Sequence, residues 1–158
     1  PANTFTGFLM ISAVVFGAFI SFSGIYADKI GRRRFLIWVT FAMLAFGLLM
    51  PQFLTHGSPA SVLAFLLIGM ALMGLTFGPM AALLPELFPT EVRYSGASLA
   101  YNFAAIIGAS IATLVAIELN AYYGIIGVGL YLAANCVLTL LALNSTHETK
   151  DVDLVDTQ

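Results

Sequence analysis

The sequence has little charge. Only 9% of its 158 residues are Asp, Glu, Lys or Arg, whereas 60% are hydrophobic, and a soluble globular domain has about 25% charged residues. The net charge of -2 and the lack of an extended basic stripe exclude a nucleic-acid-binding protein. The one cysteine, Cys136, lies in an apolar run, where it packs as a small hydrophobic residue without an internal disulfide partner. This composition is that of an integral membrane protein.

Apolar runs make up most of the chain. Charged residues are costly near the bilayer centre, and about 20 apolar residues cross the hydrocarbon core. Uncharged runs, separated in one place by the prolines and polar residues of MPQFLTHGSPAS, therefore predict an all-α integral membrane bundle over residues 1–144. Its five transmembrane helices are predicted at about 5–27, 34–54, 61–85, 95–117 and 122–144.

All six Lys and Arg residues fall on one side of these predicted spans. The positive-inside rule makes that side cytoplasmic. We therefore expect the amino end outside, the carboxyl end in the cytoplasm, and a polar, acidic cytoplasmic tail over 145–158. Because the sequence begins with Pro1 rather than Met, we also expect it to be a piece of a longer polypeptide.

Four of the six cationic residues lie in one segment, GIYADKIGRRR at 24–34. Taken alone, the segment is a topological anchor, in which Asp28 can accept from a helix start and the arginines can bind carboxylates or lipid phosphates. Its order of Gly, three residues, Asp, Lys, one residue, Gly, Arg, Arg resembles an inner-loop signature of the major facilitator superfamily. LPELFPTEVRYSG at 84–96, followed by ASLAYN, resembles the segment leading into the eleventh helix of the metabolite:proton symporters. The final HETK resembles a sugar-porter ending.

The resemblance implies helices 8–12 of a twelve-helix fold, in a bacterial inner membrane. It implies proton-coupled symport of a small organic acid or zwitterionic metabolite by alternating access, as in carriers of α-ketoglutarate, citrate, shikimate and proline or betaine. The expected partners are the metabolite, the proton, the lipid bilayer and the missing amino-terminal half, with no cofactor, no metal site and no catalysed reaction. The alternatives are a sugar porter or drug/proton antiporter of the same superfamily, an accessory membrane subunit, and a truncated fragment without transport activity.

The resemblance also assigns roles in the two inner loops. Carboxylates of one loop are expected to pair with arginines and helix starts of another while the cytoplasmic side is closed. We expect Asp28 to contact the helix start at 94–97. Glu86 is expected beside Arg32 or Arg33. The residues that match the two motifs are Gly24, Asp28, Gly31, Arg32, Arg33, Glu86, Pro89 and Arg93.

Polar residues inside the spans are candidates for a substrate cavity. Asn102 lies nine residues beyond Arg93, which at 1.5 Å per residue is roughly 14 Å into the membrane. We take Thr76, Tyr101 and Asn102 as cavity candidates, with helix packing as an equally weighted alternative for the last two. Pro79 removes a helix hydrogen bond and is either a hinge or a bend that only packs.

The interiors of all five predicted spans contain no Asp, Glu, Lys or Arg. A proton-coupling carboxylate, or a cation that holds an anionic substrate, is therefore expected outside this sequence. Glu118 is expected at the outer rim, where a carboxylate is usually solvated. Asn135 is expected to form an interhelical hydrogen bond.

Overall fold

The computed structural model describes residues 2–55 and 57–145, with side chains described from Thr4 onward. Within these residues the secondary structure is entirely helical. The helices are α1 (Ala2–Ile30), α2 (Arg32–Thr55), α3 (Pro59–Glu86) and α4 (Arg93–Ser145). Each is long and apolar enough to cross a membrane, which makes the chain a multi-pass membrane protein. Apart from Ser145, the predicted tail lies outside the described residues.

The predicted count of five separate helices is wrong, because the last two predicted spans are joined in α4. This helix has 53 residues, which would extend about 80 Å if straight, far beyond a hydrocarbon core of about 30 Å. Helical geometry is instead broken at Gly124, where φ is 64° and ψ is -161°. The chain reverses there, since a Cβ atom on Gly127 would lie 3.1 Å from the Leu119 carbonyl oxygen. Residues 93–123 are called the first arm of α4 and residues 125–145 the second arm.

A single glycine replaces the loop that was expected between these spans. Its combination of φ and ψ is essentially restricted to glycine, so helical hydrogen bonding can stop and restart without intervening loop residues. The antiparallel course of the two arms is also visible farther from the turn. Ala112 and Ala116 of the first arm line the same cavity as Val128 and Leu132 of the second arm.

Two glycines bring α3 against the backbone of α1. A Cβ atom on Gly74 would lie 2.6 Å from the Phe16 carbonyl oxygen, and one on Gly78 would lie 2.7 Å from the Ile20 carbonyl oxygen. The buried Ser23 hydroxyl lies 2.8 Å from the Ile20 carbonyl oxygen and 3.2 Å from that of Gly74. Small residues and interhelical hydrogen bonds of this kind hold membrane helices together, so α1 and α3 form a tightly packed pair.

A second crossing joins α2 to the second arm of α4. The two helices meet at Gly47 and Gly129, and a Cβ atom on Gly47 would lie 3.1 Å from the Gly129 carbonyl oxygen. At one end of the bundle, α2, α3 and the second arm share a small apolar core. That core consists of Leu36, Leu83 and Leu143, with Ile37 packed against it.

Gly124→Ala tests the turn between the two arms. We expect it to lower the free energy of unfolding by about 1–3 kcal/mol, because alanine adopts this backbone conformation only with strain. The matched control is Gly108→Ala in the first arm, where the helix is regular and, as at Gly124, nothing lies within 4 Å of the added Cβ atom. Denaturant titration of the full-length protein in detergent, followed by circular dichroism, measures both. Equal effects of the two substitutions would contradict the assignment.

Candidate functional site

Gly31 places the charged residues of the first motif side by side. It is the one residue between α1 and α2, and its φ of 109° lies in the region that favours glycine. Its N–H donates to the Ala27 carbonyl at 2.9 Å, and its carbonyl accepts from the Phe35 N–H at 3.0 Å. The chain therefore turns in a single residue, which brings Asp28 at the end of α1 next to Arg32 at the start of α2.

Arg32 connects three helices. Its Nε and Nη2 atoms each lie 3.1 Å from Asp28 Oδ1, and its Nη1 donates to Glu86 Oε1 at the end of α3. The side chains of Arg32 and Glu86 are 20% and 21% exposed, whereas that of Asp28 is 62% exposed. The expected contact between Glu86 and Arg32 is confirmed. Because this pair is the less solvated one, it is the stronger of the two links.

The expected contact between Asp28 and the helix start at 94–97 is wrong for this structure. Helices α1 and α4 do not pack against each other within the described ranges, so the exposed Asp28 carboxylate is paired with Arg32 instead. The start of α4 is covered by Phe88, because a Cβ atom on Gly96 would lie 2.5 Å from Phe88 Cδ1. Arg93 contributes to the same contact, with Nε 3.4 Å from the Phe88 carbonyl oxygen.

Arg33 holds the end of the second arm of α4. Its Nε donates to the Leu143 carbonyl at 2.7 Å, and its Nη2 lies 3.3 Å from the Asn144 carbonyl oxygen and 3.2 Å from Asn144 Oδ1. The last carbonyls of a helix carry partial negative charge, which a nearby cation stabilises. Arg33 therefore acts as a helix-end cap as well as part of the cationic motif. The sequence contains no signal for this contact, since the acceptors are mainly backbone atoms.

The remaining motif residues act through the backbone. The Gly24 nitrogen lies 3.1 Å from the position of a Cβ atom on Gly78, so α3 approaches α1 closely here. The Pro89 carbonyl accepts from the Val92 N–H at 3.1 Å in the turn between α3 and α4. Pro79 is buried within an uninterrupted α3, and its role as a hinge stays a prediction.

A groove of about 370 Å³ separates the second half of α3 from the beginning of the first arm. Tyr101 and Asn102 both line it. Thr76 is not among its lining residues, and its hydroxyl donates to the Met73 carbonyl at 2.7 Å within α3. The lining residues are Phe77, Met80, Ala81, Leu84, Pro85, Ala97, Ser98, Tyr101 and Asn102.

The polar groups of this groove are uncharged. Asn102 Nδ2 donates to the Ser98 carbonyl at 2.7 Å, which leaves the amide oxygen for another donor. Tyr101, whose side chain is half exposed, adds a hydroxyl. Apolar walls with a few hydrogen-bonding groups are typical of small-molecule sites. The groove can orient a small molecule, but its lining residues carry no charge to neutralise an ionic group.

The other two polar candidates lie away from this groove. The expected interhelical hydrogen bond of Asn135 is wrong: its Nδ2 donates to the Tyr131 carbonyl, one turn earlier in the second arm, at 2.9 Å. Asn135 lines a different cavity of about 360 Å³ among α2, α3 and both arms of α4. Glu118 is exposed near the end of the first arm.

Comparison with known proteins identifies the family of this chain. A family model described as Sugar (and other) transporter matches residues 3–158. The chain belongs to this family of the major facilitator superfamily. The membrane helices are thus those of a member of a transporter family.

Three related proteins show how much of a full-length relative this chain covers. A Haemophilus influenzae protein with the provisional name of metabolite transport protein is 68% identical over 156 residues, which are 99% of this chain and 36% of the relative. The inner membrane metabolite transport protein YhjE of Escherichia coli is 50% identical over 155 residues, 98% of this chain and 35% of YhjE. The proline/betaine transporter of Salmonella typhimurium is 31% identical over 147 residues, 90% of this chain and 29% of that protein.

The chain of this superfamily member spans about a third of the length of the relatives that it matches. No solved structure matches it.

The two carboxylates that pair with Arg32 should differ in their contribution to the stability of the protein. We expect Glu86→Gln to lower the free energy of unfolding by about 1–3 kcal/mol, because a partly buried arginine loses its less solvated partner. Asp28→Asn is the matched control, since it also removes one negative charge at nearly constant volume, and it should cost about 0–1 kcal/mol. Denaturant titration of the full-length protein compares the two. A cost for Asp28→Asn equal to or greater than that for Glu86→Gln would refute the ranking.

Proposed function

We propose that the chain is the carboxyl-terminal part of a proton-coupled symporter for a small organic acid or zwitterion. Its membership of a transporter family supports the transport class, and relatives named as metabolite and proline/betaine transporters support the substrate class. In this proposal α1 to α3 correspond to helices 8–10 of a twelve-helix fold, and the two arms of α4 correspond to helices 11 and 12. The rest of the polypeptide supplies the other half of the transport path.

The groove beside Tyr101 and Asn102 is the observation that carries this proposal. Its volume suits a small metabolite, and its wall on α3 includes Pro85. The next residue, Glu86, is the one that Arg32 holds. A change in the contact between Arg32 and Glu86 would therefore move the end of the groove wall, which links the charged motif to the substrate path.

Alternating access requires that these contacts be weak enough to break. The exposed pair of Arg32 with Asp28 contributes only about 0–1 kcal/mol, and the less exposed pair with Glu86 about 1–3 kcal/mol. Two conformers that differ by a few kcal/mol can exchange. We infer that the ion pairs of Arg32 with Asp28 and Glu86 stabilise the state that is closed to the cytoplasm. The cationic residues support a cytoplasmic location of this face by the positive-inside rule, with the amino end of the chain outside.

Because the groove has no charged lining residue, this chain contributes only hydrogen bonds and apolar contacts to the substrate there. Tyr101 and Asn102 orient the substrate by hydrogen bonds. The group that takes up the coupling proton, and the group that neutralises a charged substrate, lie in the other part of the polypeptide in this proposal. A measurement of proton coupling therefore tests the function proposed for the full-length protein, whereas substitution in the groove tests the role proposed for this chain.

Uptake into proteoliposomes tests both parts with the full-length protein. Radiolabelled proline, glycine betaine, α-ketoglutarate, citrate and shikimate serve as the probes, with an imposed pH gradient that is alkaline inside. We expect at least one probe to accumulate, and accumulation to cease when a protonophore collapses the gradient. Uptake that ignores the gradient would exclude proton symport, and a failure to accumulate any probe would exclude this substrate class.

Asn102→Ala should raise the KM of the accumulated probe about fivefold, since one hydrogen bond to a substrate contributes on the order of 1 kcal/mol. Asn135→Ala is the matched control, because Asn135 makes the same bond to the carbonyl one turn earlier but lines the other cavity. It should leave KM unchanged. Equal changes in KM for both variants would remove the groove from the substrate path.

A further inference from the structure

We propose that Phe88 is a positioning residue that sets the width of the groove, with Gly96 as the seat for its ring. The functional meaning of this inference rests on the proposed function, in which the groove is the substrate path. The contact itself is independent of that function, and it can be tested by the accessibility of a groove residue.

The backbone of Phe88 is fixed to the end of α3. The Leu87 N–H donates to the Leu84 carbonyl at 3.3 Å, and the Phe88 N–H donates to the Pro85 carbonyl at 3.2 Å. Both acceptor residues, Leu84 and Pro85, line the groove. A shift of Phe88 is therefore transmitted directly to the groove wall on α3.

The ring of Phe88 lies against the beginning of α4. A Cβ atom on Gly96 would lie 2.5 Å from Cδ1, 2.8 Å from Cε1 and 3.0 Å from Cγ of this ring, so only a glycine leaves the ring in place. The next two residues, Ala97 and Ser98, line the groove from the α4 side. One side chain thus spans the end of the groove, with its backbone held by one wall and its ring held by the other.

Few other contacts fix the distance between these walls. Helix α3 packs on α4 over a much smaller surface than it packs on α1 or α2. Along the first arm, Phe103 and Ile106 are 63% and 67% exposed, and nothing lies within 4 Å of the Cβ position at Gly108. Because so little else in the described part of the chain holds the first arm against α3, the contact of Phe88 with Gly96 sets the spacing at that end.

A thiol at the groove reports its width. The full-length protein carries Ser98→Cys in a background without other cysteines, which includes Cys136→Ala, and the rate of reaction with a membrane-impermeant maleimide is measured in inside-out vesicles. Gly96→Ala should displace the ring and raise the rate at least about fivefold, the effect of a shift of about 1 kcal/mol in the equilibrium between closed and open grooves. Gly108→Ala, which adds the same methyl group in open space, should leave the rate unchanged.

The dependence on the ring is tested by a double-mutant cycle. In the Phe88→Ala background, Gly96→Ala should have no further effect on the labelling rate, because the colliding ring is gone. Labelling that is unchanged by Gly96→Ala, or that rises equally in the presence and absence of the ring, would overturn the proposal. If Gly96→Ala does not fold, Phe88→Ala must still raise the rate and Phe88→Tyr must keep the wild-type rate.

Uptake measured on the same variants separates this inference from the proposed function. If the labelling rate and the KM of the transported probe change together, the groove is positioned by Phe88 and serves as the substrate path. If labelling changes while KM does not, Phe88 still positions the groove, but the groove is not the path and the proposed function fails at that point.

Discussion

The first turn of α2 holds together the ends of the other three helices. Arg32 pairs with the last turns of α1 and α3, and Arg33 donates to the last carbonyls of α4. Removal of the Arg32 guanidinium would leave the partly buried Glu86 carboxylate without the partner that offsets its desolvation. The apolar core of Leu36, Leu83 and Leu143 joins α2, α3 and the second arm of α4 at this end. Charge pairing and burial therefore stabilise one arrangement of the helix ends.

Away from this end, close backbone contacts at glycines hold the helices of the bundle together. Membrane helices gain little from the hydrophobic effect when they associate, so close backbone contact and interhelical hydrogen bonds determine which of them pack. Gly74 and Gly78 bind α3 to α1, and Gly47 with Gly129 binds α2 to the second arm. The first arm has no glycine crossing of this kind among the described residues, and it is the most exposed segment of the bundle. In the proposed function, the beginning of this arm forms one wall of the groove.

The sequence predicts this architecture where charge and apolar length decide it. The spacing of charges marked the membrane helices, and the resemblance to the family's inner-loop motifs predicted a contact of Glu86 with Arg32 or Arg33. The turn at Gly124 was not predicted, because it consists of a single residue and its backbone conformation has no effect on the hydropathy pattern. The role of Arg33 was missed since its acceptors are mostly backbone oxygens. The contact of Phe88 with Gly96 was missed because no sequence pattern indicates which residue an aromatic side chain in a short linker contacts.

The coupling free energy between Arg32 and Glu86 tests the central claim most directly. Arg32→Gln, Glu86→Gln and the double variant of the full-length protein form a thermodynamic cycle, with the free energy of unfolding in detergent as the measurement. If the pair ties α2 to α3, the double variant costs less than the sum of the single variants by at least about 1 kcal/mol. Additive costs, with a coupling free energy near zero, would contradict the account.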